Sequence, residues 1–385
     1  MATNLAWHNL VHNKVKSGVA ITGVVFAIVL MFMQLGFLEA VKASATLIYD
    51  ELDFEICIRS KDYLNLADPR TFPRQRLSQA AAVPGVKHAA FLSVGTGAWR
   101  NPETGNRLAI LCLGVPEEVP IFRSAQLQSR VDELLRRPDS LLIDTKTRRE
   151  YGPRDGRHFG PQDHGASVEI NETAVIIAGD YTCGTGLSCG GAAIMRQRGL
   201  QQIMPGLTRD QVSLGLIQLD PHADAQLVVD QLRRVLSDDV DVLTRPDAVG
   251  GEVRFWVYDT NYGLIFQLGV VVSLIVGTAI VYQVLVSDVA SLLPEYATLK
   301  AMGYHNRYLT GVILQQSLAL AVIGFAWGWL LSHGLYALTT AGTQIPIRMT
   351  WTNLTLVFGL SVAMCAGSGL GAVRKALQAE PADLF

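Results

Sequence analysis

Two histidines four residues apart, His8 and His12, and two cysteines six apart, Cys183 and Cys189, are among the few residue pairs here whose types and spacing could do chemistry. The histidine pair would share one helix face and could chelate a metal, but neither carboxylate nor thiol accompanies it, so no metal ligand is assigned. His88, His158, His164 and His222 are scattered among aspartates and serines. No G-x-S-x-G elbow or H-E-x-x-H helix frames them, so they read as surface residues rather than as a hydrolytic triad. A phosphate cradle of the form G-x-x-x-x-G-K-[ST] is missing, and Gly95-Thr96-Gly97 and Gly184-Thr185-Gly186 are too short for the dinucleotide pattern. The sequence therefore contains no recognisable ATP-binding loop and no catalytic residue is assigned. Cys183 and Cys189 could close a small disulfide loop if they face an oxidising compartment, whereas Cys57 and Cys112 lie in strand-like runs and read as buried thiols.

The elements that would position these residues are dominated by apolar runs. Hydrophobic residues make up 49% of the chain and charged residues 17%, below the usual quarter or so, which requires apolar residues to be concentrated locally. Acids and bases nearly balance, at 34 and 32, and the bases are dispersed, which excludes a nucleic-acid footprint. Four segments of about 20 residues or more lack Asp, Glu, Lys and Arg, the length that crosses a hydrocarbon core. They run over 17–38, 263–286, 309–331 and 351–373. Ala43-Ser44-Ala45 offers a small-x-small cleavage pattern behind the first, but that run exceeds the roughly 7–15 residues of a signal core and Glu39 and Lys42 intervene, so it reads as a retained span.

Basic residues flanking the spans set the orientation. Lys14 and Lys16 precede the first, Lys300 and Arg307 lie between the second and third, and Arg374 and Lys375 follow the fourth, so both termini and the segment 288–308 are expected in the cytoplasm. The expected fold is an α-helical membrane protein with four transmembrane helices (1 + 3) and a large α+β periplasmic domain inserted between the first and second spans. Its parts are an amphipathic helix at 1–16, spans at 17–40, 262–287, 309–335 and 351–373, and the outer domain at 41–261. A cytoplasmic hairpin at 288–308, a short outer loop at 336–350 and a tail at 374–385 complete it. Within the outer domain, strand–helix–strand units near each end predict a split βαβ lobe, and a glycine-rich, β-rich insert at about 140–205 predicts a separate lobe. Residues 39–52 and 252–262 are expected to extend the first and second spans outward as stalk helices.

Small residues recur four apart in the spans: Gly269, Ser273 and Gly277, then Gly324 and Gly328, then Ala363, Gly367 and Gly371. Such stripes let helix backbones approach closely, either within one chain or between two. No acid or base lies deep in a span, unlike the usual proton- or ion-coupled carrier. The charged hairpin between two apolar runs is suited to meet a soluble partner. Leu293-Pro294 is expected to end the preceding helix, Glu295 to Met302 to make two turns with Tyr296, Leu299 and Lys300 on one face, and Gly303 to reverse the chain.

The layout of one span, a large outer domain and three further spans, the hairpin Pro294-Glu295-Tyr296-Ala297-Thr298-Leu299-Lys300-Ala301-Met302-Gly303-Tyr304 and the tail Ala376 to Leu384 resemble permeases of the FtsX and MacB type. The opening Leu5-Ala6-Trp7-His8-Asn9-Leu10 and the stretch 54–63 are most similar to cyanobacterial DevC-type permeases, which export envelope glycolipid. The resemblance implies a homodimer resting on an ABC ATPase subunit (DevA-like), with a membrane-fusion adaptor (DevB-like) and a TolC-like outer-membrane channel. ATP and Mg would be bound by the partner, expected on a separate polypeptide because this sequence starts almost at the amphipathic helix. It further implies that Glu295, Tyr296, Leu299, Lys300, Met302 and Gly303 receive the ATPase stroke. The alternative is an FtsX-like regulatory membrane protein that controls a periplasmic cell-wall enzyme. The basic residues usual before the hairpin glutamate are replaced here by Leu292, Leu293 and Pro294.

Overall fold

The computed structural model describes residues 14–153, 156–184, 186, 189–301, 306–343 and 347–378, which form two units, one of 1–40 with 261–385 and one of 41–260. The amphipathic helix expected at 1–16 lies almost wholly outside the described residues. Helix α1, Lys14–Glu51, begins in the first unit and runs unbroken to the second. Between its end and the next span come β1 (Ile56–Ser60), β2 (Phe72–Pro73), α2 (Gln75–Ala81), β3 (Val86–Arg100), β4 (Arg107–Val115) and α3 (Ala125–Leu134). They are followed by β5 (Ser140–Asp144), β6 (Ser167–Ile170), β7 (Thr173–Tyr181), β8 (Gly191–Arg196), α4 (Gln197–Ile203) and β9 (Gln211–Val212). Strand β10 (Leu214–Leu219), α5 (Ala225–Val235), β11 (Val240–Thr244) and α6 (Arg245–Arg254) complete the second unit. The remaining helices are α7 (Asn261–Ala301), α8 (Asn306–Thr343) and α9 (Trp351–Gln378).

Among the described residues, four helical stretches, 18–51, 261–287, 310–341 and 351–374, are long and apolar enough to cross a membrane, and between the first and second in sequence lies the α/β unit. In the membrane unit, Val24, Ile28, Met31 and Phe32 of α1 join Val281 and Leu285 of α7, Leu320 and Ala321 of α8, and Val357 and Met364 of α9 in one apolar cluster. Burying one such side chain contributes about 1.5–3 kcal/mol in water; between lipid-solvated helices close packing takes over that role.

In the second unit, β11, β1, β10 and the first half of β3 pair antiparallel in that order, with α2 and α5 over one face. Strand, helix, strand, strand, helix, strand with this order is the split βαβ arrangement. The strands of the insert, β5, β6, β7 and β8, pair with β4 and with the second half of β3. Strand β3 is 15 residues long, so its first half pairs with β10 and its second half with β4. The order β3-β4-β8-β5-β7-β6 then closes on itself through Trp99 opposite Ile170 and Arg100 opposite Glu169, making a six-stranded barrel. Closure removes a sheet edge that would otherwise stay unpaired.

The alternation of side chains along each strand assigns them to different cores. On β4, Ile110 and Cys112 fill the barrel, while Leu111, Leu113 and Val115 enter a middle layer shared with Tyr49 at the end of α1 and Leu52 just after it. On β5, Leu141 and Ile143 face the barrel and Leu142 the middle layer. Both faces being buried explains why these strands read as unbroken apolar runs.

Two helix boundaries differ from expectation. The segment before the second span is not one helix with it: a π-helical turn covers Phe255–Asp259, and Thr260 is extended, with φ −96° and ψ 161°, before α7 begins. The Thr260 amide donates to Phe255 O at 3.0 Å and its hydroxyl to Trp256 O at 2.5 Å, which closes the turn locally without glycine or proline. Conversely, Leu293-Pro294 does not end the helix that carries the second span: α7 continues through it to Ala301, beyond the apolar stretch 261–287, where water can satisfy the carbonyl that proline leaves unpaired.

Candidate functional site

A linked set of polar side chains in the second unit lies where α1 ends and α6 begins. Arg245 is the first residue of α6, and Thr244 caps that helix by accepting from the Asp247 amide at 3.4 Å. The Arg245 guanidinium donates to Tyr49 O at 2.6 Å and to Leu52 O at 2.7 Å, and stacks over the Phe54 ring at 4.6 Å. The last carbonyls of a helix lack intrahelical partners and carry its negative dipole end, so a fixed fork of N–H donors suits them.

Two turns further along α6, Glu252 is only 1% exposed. Its carboxyl accepts from the Tyr63 hydroxyl at 2.6 Å, the Leu66 amide at 3.1 Å and the Trp256 indole N–H at 3.0 Å. Tyr63 is in turn 2.8 Å from the hydroxyl of Tyr49, and Arg59 lies over its ring at 4.5 Å. A chain of polar contacts thus runs from the outer end of α1 through Tyr49 and Tyr63 to α6 and the π turn. Burial pushes the Glu252 carboxyl above its usual range, although its three donors pull the other way. Burial likewise pushes the Tyr63 hydroxyl well up. Nothing in the spacing of Tyr49, Tyr63, Arg245 and Glu252 announces this joint, because its members are brought together by sheet pairing.

Cys183 and Cys189 are free thiols, which corrects the possible disulfide. The Cys183 thiol donates instead to Leu47 O of α1 at 3.6 Å. The Gly184 amide donates to Asp144 Oδ2 at 2.6 Å, fixing the start of that loop against the end of β5. His164 bonds Asp180 at 2.8 Å and His158 the main chain of Thr147 at 3.1 Å, so each has its own local partner.

Five small residues of the predicted stripes lie at tight crossings inside the membrane unit, where an added methyl group would meet a neighbour. At Gly277 it would fall 2.6 Å from Ala27 Cβ, at Gly328 2.6 Å from Ile28 Cγ2, and at Gly371 3.0 Å from Tyr282; at Gly269 and Gly324 it would run into Gln34 and Val24. Ser273 is buried and returns its hydroxyl to Gly269 O at 2.7 Å. Ala363 and Gly367 differ: both are exposed, and nothing lies within 4 Å of a methyl added at Gly367. Gly369, two residues on, makes the close approach instead, to Ser317.

Glu295, Tyr296, Leu299 and Lys300 belong to the last turns of α7, and α8 starts at Asn306. Met302 and Gly303 lie outside the described residues. A charged helix end joined within a few residues to the next long apolar helix is thus the geometry of the 288–308 segment.

Residues 263–381 match the family described as FtsX-like permease C-terminal. The FtsX-like segment takes in nearly all of α7, and α8 and α9, including the charged last turns of α7. No curated protein matches the chain. Among solved structures it is similar to the periplasmic region of MacB from Actinobacillus actinomycetemcomitans, at 8% identity over 52% of this chain and 92% of that one, with a TM-score of 0.35. It is also similar to the extracellular domain of the noncanonic ABC-type transporter YknZ from Gram-positive bacteria, at 13% identity over 49% and 98%, with a TM-score of 0.31. A multi-pass inner-membrane protein with its α/β unit in the periplasm fits the four spans, the FtsX-like segment and the distribution of bases.

Proposed function

We propose that this chain is the permease subunit of an ABC-type exporter of the mechanotransmission kind, driven by a separate ATPase. The observation that carries this reading is the FtsX-like match over 263–381, which spans the charged turn at the end of α7. ATPase closure would push on the turn around Glu295 and Lys300. The helices would pass that movement outward, α1 directly, since it is one helix from Lys14 to Glu51, and α7 by way of the Thr260 break. In the outer unit the stroke would be received at the joint of Tyr49, Tyr63, Arg245 and Glu252, where both chain entries are tied to the sheet.

In the finer reading the chain works as a homodimer with a DevA-like ATPase, a DevB-like adaptor and a TolC-like channel, and moves glycolipid or another hydrophobic cargo. The apolar spans support this, since they carry no charged lining for a route through the bilayer. The test is co-purification and reconstitution: the full chain should capture an ABC ATPase from its own cell envelope and stimulate its ATP hydrolysis. Capture of a cell-wall hydrolase with no adaptor would instead favour the regulatory reading.

A further inference from the structure

Two clefts of about 330 and 290 Å³ open side by side on the second unit and share one wall, the ion pair of Arg198 with Glu117 at 2.9 Å. The first lies between β3, the segment after β4 and the loop before β9; the second lies between the end of α3 and the start of α4. Together they are lined by six arginines, Arg74, Arg136, Arg137, Arg196, Arg198 and Arg209, against three carboxylates, Glu117, Glu118 and Asp132. Arg196 fixes the walls. Its side chain, 11% exposed, donates to Pro116 O after β4 at 2.6 Å, to Leu135 O after α3 at 3.3 Å and to Asp132 at 3.0 Å. Arg137 is paired with Asp139 at 2.6 Å, as Arg198 is with Glu117. Arg74, Arg136 and Arg209 are exposed and have no carboxylate partner among the described residues, so each cleft keeps positive charge to offer.

We propose that this joined groove docks an acidic segment of another extracytoplasmic protein, with its carboxylates held by Arg74 and Arg209 in one cleft and by Arg136 in the other. A planar guanidinium meets a carboxylate through paired N–H donors, and arginine clusters are a recurring means of recognising acidic peptides. Two observations favour a peptide over other anions. The clefts offer no bed for a hydrocarbon chain, since Phe91 is 5% exposed beneath the Arg74 guanidinium stacked on it at 4.6 Å, and Leu135 is 1% exposed. Glu117, Glu118 and Asp132 stand among the arginines and repel a uniform polyanion, whereas a peptide can set an uncharged residue opposite each of them. Walls already fixed by Arg196 lower the ordering cost of binding. Docking here requires no ATPase and no transport, so the failure of this proposal and the failure of the exporter reading are separable.

The experiment uses the full chain in phosphatidylcholine nanodiscs and the fluorescence anisotropy of a labelled peptide of alternating glutamate and serine, about ten residues long and so roughly 33 Å when extended. Its lysine–serine counterpart is the control, and inorganic polyphosphate of similar charge is the competitor. Saturable binding of the glutamate peptide is expected. Arg136→Glu and Arg209→Glu, one from each cleft, should each weaken it at least about threefold and together at least about tenfold. Arg234→Glu on α5, an equal change of charge that does not line the groove, should leave it within about twofold. The lysine peptide should not bind, and polyphosphate should compete less well than unlabelled glutamate peptide. All three arginines are exposed, so thermal unfolding of the variants should match the parent. The proposal is overturned if the glutamate peptide does not saturate, if either groove variant binds it as the parent does, if Arg234→Glu weakens it as much as they do, if the lysine peptide binds equally well, or if polyphosphate competes better.

Discussion

Arg245 at the start of α6 holds the main-chain oxygen of Tyr49 at the end of α1 through a 2.6 Å hydrogen bond. The two residues are 196 positions apart and mark the two places where the chain enters the α/β unit. Removing that fork takes a donor from Leu52 O and leaves Tyr49 O with only the Leu52 amide at 3.3 Å. Arg245→Ala should therefore destabilise the α/β unit by about 1–3 kcal/mol, read as a lower unfolding temperature. Arg245→Lys should restore less than half of the loss, because one ammonium cannot reproduce the two-pronged geometry. Full restoration by lysine would show that charge alone matters there.

Glu252 sets a pH dependence. Its folded-state pKa is raised, so the folded chain binds the proton more tightly than the unfolded one. Stability from this group is then fully present below the usual carboxylate value and is lost as pH rises through the raised one. The difference in unfolding temperature between the parent and Glu252→Gln should shift in the parent's favour as pH falls through that window. A difference independent of pH between neutrality and the ordinary carboxylate range would contradict the assignment.

Helix crossings in the membrane unit separate two kinds of small residue. Gly277→Val should cost about 1–3 kcal/mol, because its methyl groups would meet Ala27 and Met364. Gly367→Ala should be neutral or stabilising by up to about 1 kcal/mol, since nothing lies within 4 Å and alanine is the better helix former. Thermal unfolding in one detergent compares the two directly; equal losses would mean that Gly367 also packs against a partner.

The charged end of α7 supplies a functional prediction. Glu295→Lys, or a bulky residue at Gly303, should abolish ATP-dependent transport while leaving expression and membrane insertion intact. The readouts are ATPase stimulation and export in the same reconstituted vesicles. Parental export in both variants would remove this turn from the mechanism.

The spans were legible because lipid permits only long apolar helices, and about 20 uncharged residues leave little room for another reading. The split βαβ half was legible through its period-two and helical patterns around turns such as Pro84-Gly85. Barrel closure was not, because it depends on Trp99 meeting Ile170 across 71 positions, and no local pattern encodes that pairing. The break at Thr260 carries no glycine or proline, and Pro294 falsely suggested one. The joint of Tyr49, Tyr63, Arg245 and Glu252 was hidden for the same reason as the barrel: long-range pairing, not spacing, assembles it.

The account rests on the charged turn of α7 and the α/β unit lying on opposite sides of one bilayer, so that movement at one can reach the other. Single cysteines placed at Lys300 and at Asp230, in a chain lacking its native thiols, can be treated with a membrane-impermeant maleimide in intact spheroplasts. Asp230→Cys should label at once and Lys300→Cys only after permeabilisation; labelling of both before permeabilisation, or of neither, would contradict the account.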